Sequence, residues 1–99
     1  MGTAISARQQ AALERLIKIA QADTGQSRMT AEFLLSWWNA SNCGGFDLTR
    51  LWEVDTEIAA DMVTVFSLVA SCRRHPDDLG YGEEFRRIVH AWRPTLQPG

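Results

Sequence analysis

Apolar residues recur at helical spacing in successive segments of this 99-residue chain. Each stripe follows the i, i+3, i+4, i+7 spacing that is typical of an amphipathic helix. The clearest stripes are Leu13, Leu16, Ile17 and Ala20 in the first segment and Phe85, Ile88, Val89 and Trp92 in the last. No segment alternates apolar and polar residues between turn signals, as a strand would. The sequence therefore predicts an all-α fold.

Two helices are predicted in the first half of the chain. The first runs to about Ala22, and Gly25 follows it as a typical helix-ending residue. The second runs to about Ala40, where Gly44 and Gly45 end it, and its apolar residues cover a wide arc. The caps are Thr3 for the first helix and Ser27 or Thr30 for the second, and the arc consists of Phe33, Leu34, Leu35, Trp37 and Trp38. Such an arc indicates a central helix with neighbours on two sides.

The middle of the chain predicts a short helix followed by a long one. Asp47 caps the short helix. The long helix runs from Thr56 to about Arg74, with Asp55 as its cap and Pro76 as its stop. Its acids lie in the first turns and its arginines in the last, as the helix dipole favours. In the short helix, the residues expected to face inward are Leu48, Leu51 and Trp52. In the long helix, the apolar residues at helical spacing are Ile58, Met62, Val65, Phe66 and Val69.

A final helix is predicted to open at Gly82 or Tyr81 and to close at Pro94. Glu83 and Arg87 lie at the i, i+4 spacing of a stabilising ion pair. The predicted architecture is a single domain, a compact bundle of four main helices plus one short helix. Its bounds are residues 1–99, with an ordered core over about 4–94 and a loose tail over 95–99.

The net charge of -2 argues against a protein whose main affinity is for phosphate backbones, because such proteins cluster lysine and arginine. Five acids and one base lie between Asp47 and Asp61, while arginines concentrate in the last third. The sequence contains no apolar run of membrane-spanning length and begins without a secretory pattern. Because Cys43 and Cys72 are its only cysteines, a cytoplasmic protein with two reduced thiols is expected.

Two adjacent tryptophans, Trp37 and Trp38, run into a polar loop in the segment SWWNASNCGGFD. Neighbouring positions on a helix point about 100° apart, so we expect one ring in the core and the other at the edge of the apolar arc. Amphipathic rings of this kind are enriched at protein interfaces. The predicted partner-binding residues are Trp38, Asn39, Asn42, Phe46, Asp47 and Trp52. The alternative is that both rings are packed and the loop only ends the helix.

No sequence motif indicates catalysis or a bound cofactor. The chain has no G-x-S-x-G, H-E-x-x-H or Gly-rich phosphate loop, so we expect a protein that is not an enzyme. Cys72 and His75 are three positions apart, and Cys43 and His90 would have to complete a zinc site. Structural zinc sites use paired short spacings, of which only one loose pair exists here. We therefore expect no metal and no cofactor.

The segment FDLTRLWEVDTEIAADMVTVF has the order of a helix-turn-helix unit, a short helix, a turn and a longer helix. In such a unit the second helix enters the major groove of DNA. Here that helix opens with Asp55, Glu57 and Asp61, whose charge has the wrong sign for phosphate. A nucleic-acid-binding regulator is thus the alternative function, and nucleic acid is not the expected partner.

Four segments, DTGQS, FLLSWWNA, CGGFDLTRLWEVD and GYGEEFRRIVHAWRP, resemble a family of small uncharacterised bacterial proteins that is known only as a domain of unknown function. The resemblance runs from about Leu13 to Pro94. Members of that family are typically carried on integrative conjugative elements and plasmids of proteobacteria. The resemblance implies a bacterial cytoplasmic accessory protein of a mobile element, and it supplies no catalytic or binding residue.

The leading hypothesis is a non-enzymatic helical protein that binds another protein. It depends on four tryptophans in a small domain, the acidic segment from Asp47 to Asp61, and the polar loop beside Trp38. Replacing Trp38 or Trp52 is then expected to abolish partner capture without unfolding, whereas a ring in the core would cost stability when truncated. A homodimer through an exposed tryptophan edge stays open as a further alternative.

Overall fold

The computed structural model describes residues 5–96, and this part of the chain is built from α-helices and short 3₁₀ helices without a strand. The α-helices are α1 (Ala7–Ala20), α2 (Gly25–Cys43), α3 (Thr56–Cys72) and α4 (Gly82–Trp92). The 3₁₀ helices are Leu48–Trp52, Pro76–Leu79 and Pro94–Leu96. The predicted all-α bundle of four main helices and a short one is confirmed. Of the predicted tail, residues 97–99 lie outside the described part.

All four α-helices contribute to one core, in which α1 packs against both α2 and α3, and α2 packs against α4. The predicted stripe of α1 is buried along its whole length. In α4, Phe85, Ile88 and Val89 are buried, and the indole of the half-buried Trp92 donates to the carbonyl oxygen of Ala20 at 2.7 Å. On the outer face, the predicted ion pair of α4 forms at 3.5 Å. The periodicity of the sequence thus identified the buried faces of both helices.

α1 begins at a capping box rather than at the predicted cap Thr3, which lies outside the described residues. The Gln9 backbone N–H donates to the Ser6 hydroxyl at 3.0 Å, and the Ser6 backbone N–H donates to the Gln9 side chain at 3.1 Å. Two backbone donors that no turn of helix can satisfy are paired in this way. Ser6 therefore fixes the start of α1.

Gly25 opens α2 instead of ending α1, so its predicted role is wrong. Thr24 is the cap, since its hydroxyl accepts from the Ser27 backbone N–H at 3.0 Å. The predicted caps Ser27 and Thr30 are wrong as well, because both are buried inside the helix. The Thr30 hydroxyl is occupied by the carbonyl oxygen of Gln26, to which it donates at 2.8 Å. α2 consequently starts earlier than its apolar pattern suggests.

The end of α2 is kinked at Asn39, whose backbone is extended (φ -165°, ψ 80°). The side-chain oxygen of Asn39 accepts from the Asn42 backbone N–H at 3.3 Å, as a helix cap does, and a last turn continues to Cys43. Gly44 then ends the helix with φ 99°, a value that favours glycine. The predicted stop at Gly44 is confirmed, and the helix passes the predicted end at Ala40.

Asp47 caps the 3₁₀ helix Leu48–Trp52, as predicted. The expectation that its apolar residues all face inward is wrong, because Leu48 is 66% exposed and Trp52 83% exposed. Leu51 and the buried Val54 hold this segment on the core. A helix of this length has too little surface to bury apolar residues on every side, so Leu48 and Trp52 stay in solvent.

α3 begins at the predicted cap, Asp55, although the Asp55 carboxylate makes no capping hydrogen bond. The helix ends at Cys72, where Arg73 adopts a left-handed conformation (φ 57°). Met62, Val65 and Leu68 are buried. Apolar residues of α3 also lie outside this buried face, so part of the molecular surface at α3 is apolar.

Candidate protein-binding surface

An apolar groove of about 280 Å³ lies between α2, the Phe46–Leu48 segment and α3. This volume lies at the small end of the range for small-molecule pockets, which is about 300 to 1,000 Å³. The walls of the groove are formed by Phe33, Ser36, Trp37, Phe46, Leu48, Phe66 and Val69. Larger depressions occur elsewhere on the surface, two of about 510 Å³ and two of about 300 Å³, and charged side chains take part in lining each of them.

Helical spacing places the walls of the groove. Phe33 and Trp37 are four residues apart on α2, and Phe66 and Val69 are three apart on α3, so each pair lies on one face of its helix. Phe46 closes one end by packing edge-on against Phe33, with ring centroids 5.2 Å apart and an interplanar angle of 77°. The groove is thus held by two helices and an aromatic contact.

Trp37 forms the most firmly held part of the wall. Its ring packs edge-on against the buried Phe85 of α4, with ring centroids 5.9 Å apart. Its indole N–H donates to the carbonyl oxygen of Arg74 at 3.0 Å, which ties α2 to the end of α3. Because both contacts restrain the ring, this wall is preorganised for an occupant.

The side-chain hydroxyl in the groove wall has its proton engaged within the chain. Ser36 is the polar residue of the wall, and its hydroxyl donates to the carbonyl oxygen of Phe33 at 2.7 Å. An incoming hydrogen-bond acceptor would lose water without gaining this hydroxyl as a donor, which is costly. The chemistry of the groove therefore favours an apolar occupant.

A negative charge stands beside the groove at Asp47, between the wall residues Phe46 and Leu48. The Asp47 carboxylate accepts from the Thr49 hydroxyl at 2.8 Å and from the Thr49 backbone N–H at 3.0 Å. These hydrogen bonds hold the pKa of Asp47 below its usual value, so the group is ionised at neutral pH. An apolar groove with an anionic edge results.

The predicted partner-binding residues are divided by the structure. Phe46 and Asp47 lie at the groove, and Trp52 is exposed at the far end of the 3₁₀ helix. Asn39 and Asn42 are engaged with each other at the kink of α2. Trp38 is half-buried and donates its indole N–H to the Asp77 carboxylate at 3.3 Å. Trp37, and not Trp38, lines the groove. Both rings are half-buried.

Leu48 and Phe66 are the surface residues that sequence reasoning missed, since both were placed in inward-facing patterns. Phe66 is 64% exposed. A signal was present in α3, where residues 62–72 contain no charge and apolar side chains occur on more than one face. A helix that is apolar beyond a single stripe needs a second neighbour.

The thiols and potential metal ligands are arranged differently from a zinc site. Cys43 and Cys72 are free and buried, and burial raises the pKa of the Cys43 thiol. Within residues 5–96, no three His, Cys, Asp or Glu side chains converge as metal ligands. In the same part of the chain, no helix combines the length and the apolarity needed to cross a bilayer.

Comparison with known proteins identifies a family but no activity. Neither a curated protein nor a solved structure matches the chain. One family model matches residues 10–93, nearly the same stretch as the resemblance seen in the sequence. The expectation of an uncharacterised domain family is thereby confirmed, and the chain belongs to the family of unknown function DUF7673.

Proposed function

We propose that this chain is a non-enzymatic protein-binding module and that its apolar groove receives a large apolar side chain of a partner protein. The observation that carries the proposal is the exposure of Leu48 and Phe66 at a preorganised groove. A partner that covers these side chains removes their apolar surface from water. This burial stabilises the complex by about 25 cal/mol per Å² of apolar surface.

The partner is a protein segment with a basic residue next to its apolar anchor. Two acids of the Asp47–Asp61 segment are paired within the chain, since Asp61 bonds to Arg15 at 2.8 and 2.9 Å and Glu53 bonds to Arg50 at 3.1 Å. Asp47 is ionised and exposed at the edge of the groove. Charge complementarity therefore favours Lys or Arg beside the anchor and fixes its orientation.

The geometry of α3 supports a protein over nucleic acid as the partner. In a helix-turn-helix unit, α3 would present polar and basic side chains to the major groove of DNA. Its exposed face instead carries Val63 and Phe66, and it opens with Asp55 and Glu57. A regulator that binds nucleic acid remains the weaker of the two candidate functions on this ground.

The biological setting belongs to the same proposal. A role as an accessory protein of a mobile element in the bacterial cytoplasm rests on the resemblance of the sequence to proteins carried on such elements. A protein of that kind acts by contact with a host factor or with another component of the element, which is consistent with a binding module.

Selection of displayed peptides on the purified chain tests the groove. Enriched peptides should share an aromatic residue or leucine adjacent to Lys or Arg. Leu48→Asn should weaken a selected peptide about tenfold or more, which corresponds to about 1.4 kcal/mol. Asp47→Asn should reduce the preference for the basic residue and retain the apolar anchor. Ala60→Asn is the matched control, because Ala60 is exposed on α3 and lies outside the groove.

Three results would overturn the proposal. Selection that yields no common anchor, or peptides whose binding is equal in the Leu48 and Ala60 variants, would show that the groove is not the binding site. Retention of the chain on duplex DNA at low salt, with a steep loss as salt rises, would favour the nucleic-acid alternative. Capture from a bacterial lysate, with and without nuclease, then identifies the natural partner by comparing the chain with its Leu48→Asn variant.

A further inference from the structure

α3 carries a second apolar stripe, on the side that faces solvent. The stripe is Ala59, Val63, Phe66 and Ala70, of which Val63 is 60% and Phe66 64% exposed. These positions follow i, i+4, i+7, i+11 and cover an arc of about 60° at 100° per residue. Alternating steps of four and three residues form the seam of paired helices. Ala59 is half-buried against the core, whereas Val63, Phe66 and Ala70 are exposed. The stripe thus has the spacing of a helix–helix contact, and most of it faces solvent.

We propose that this stripe pairs with α3 of a second copy of the chain in an antiparallel homodimer. The pattern is self-complementary about a twofold axis that passes between Thr64 and Val65. In that register Val63 faces Phe66 of the second copy, and Ala59 faces Ala70 of the second copy. Each of these contacts occurs twice, once on either side of the axis, as a twofold interface requires. Large side chains meet at the centre and small ones towards the ends.

The charges at the ends of α3 agree with the same register. Between Asp61 and Arg73 the helix is uncharged, so the centre of the contact contains no ion to desolvate. Asp55 at the start of α3 comes near the basic end of α3 of the second copy, where Arg73 and Arg74 follow Cys72. The antiparallel arrangement also sets the positive end of each helix dipole beside the negative end of the other. A parallel pair would place like charges together at both ends.

The size of the contact predicts a weak dimer. α3 is about 25 Å long at 1.5 Å per residue, and one helix pair of this length falls below the roughly 1,200 Å² of a stable interface. Association should therefore depend on concentration in the micromolar range or above. The dimer goes beyond the proposed function and can be tested apart from it, because Leu48 and Asp47 at the groove are not part of the stripe. A second copy would still compete with a groove occupant for one shared residue, so peptide binding is measured at concentrations where the chain is a monomer. Phe66 belongs to both surfaces.

Sedimentation equilibrium of the full chain over a wide concentration range tests the dimer. The wild-type chain should move from monomer to dimer, and Val63→Glu should weaken the association about tenfold or more. Ala60→Glu is the matched control, because Ala60 is also exposed on α3 but lies well outside the stripe. It should leave the association within about twofold of the wild type. A monomer at the highest concentrations, or equal effects of the two variants, would overturn the proposal.

A charge exchange tests the antiparallel register. Asp55→Lys and Arg74→Glu should each weaken the dimer, because each places like charges opposite one another. The chain with both changes has the wild-type net charge and should regain the wild-type dissociation constant. Failure of the double variant to recover would contradict the register. A wild-type chain that binds peptides through the groove but forms no dimer would refute only this inference. A wild-type chain that forms the dimer but binds no peptide through the groove would refute only the proposed function.

Discussion

The indole of Trp37 stands edge-on against the ring of Phe85, with the two centroids 5.9 Å apart and the ring planes at 88°. This contact joins α2 to α4 from inside the core, while another part of the same indole lines the apolar groove. The wall of the candidate binding surface is therefore also a structural contact. Variants of Trp37 would change stability and binding together, which makes Leu48 the better probe of binding.

Two phenylalanines provide a matched test of where the core ends. Phe85 is fully buried, and Phe85→Ala should lower the free energy of unfolding by about 3 to 5 kcal/mol through lost burial and a cavity. Phe66 is 64% exposed, and Phe66→Ala should cost less than about 1 kcal/mol. Denaturant unfolding at a low protein concentration, where self-association does not contribute, measures both. Similar losses in the two variants would contradict the exposed position of Phe66.

The buried face could be predicted from the sequence in α4 but not in α3, because the two helices distribute their apolar residues differently. In α4 a single apolar stripe separates two clearly polar faces, so periodicity identifies the buried side. In α3 several faces are apolar, and the pattern predicts a helix without telling which side the rest of the chain covers. Phe66 was grouped with the buried residues for that reason. Phe46 and Asp47 of the groove could be predicted because turn signals and a cap mark their loop.

Caps were harder to predict than buried faces, and Thr24 offers a direct test. Thr24→Ala removes the hydroxyl that accepts from the Ser27 backbone N–H at 3.0 Å, and it should lower the free energy of unfolding by about 1 kcal/mol. Thr24→Ser keeps an oxygen in the same place and should retain most of the stability. Thermal or denaturant unfolding distinguishes the two variants. Equal stability of the alanine variant and the wild type would show that Thr24 does not cap α2.

Cys43 and Cys72 should react with thiol reagents only when the chain opens. Cys43 is 5% and Cys72 3% exposed, and burial raises the pKa of the Cys43 thiol, which lowers the reactive thiolate fraction. The modification rate in native buffer should be far below that of the unfolded chain. Phe85→Ala should accelerate it, since destabilisation populates open states. Mass spectrometry measures the modification rate. Fast modification of the native chain would contradict the burial of the two thiols.

The only tyrosine of the chain, Tyr81, reports the contact between α4 and α1 through its ionisation. Its hydroxyl donates to the Glu14 carboxylate at 2.9 Å, and burial together with this acidic neighbour raises the pKa of Tyr81 to about 12. An unfolded tyrosine ionises near pH 10, so the unfolded chain loses its proton first as the pH rises. The stabilising contribution of neutral Tyr81 is then complete below about pH 10 and is lost between about pH 10 and 12.

Tyrosinate absorbance of the native chain should show the raised pKa of Tyr81 directly, and Glu14→Gln should move this pKa down towards the ordinary value. An ordinary tyrosine pKa in the wild-type chain would show that Tyr81 does not make this contact.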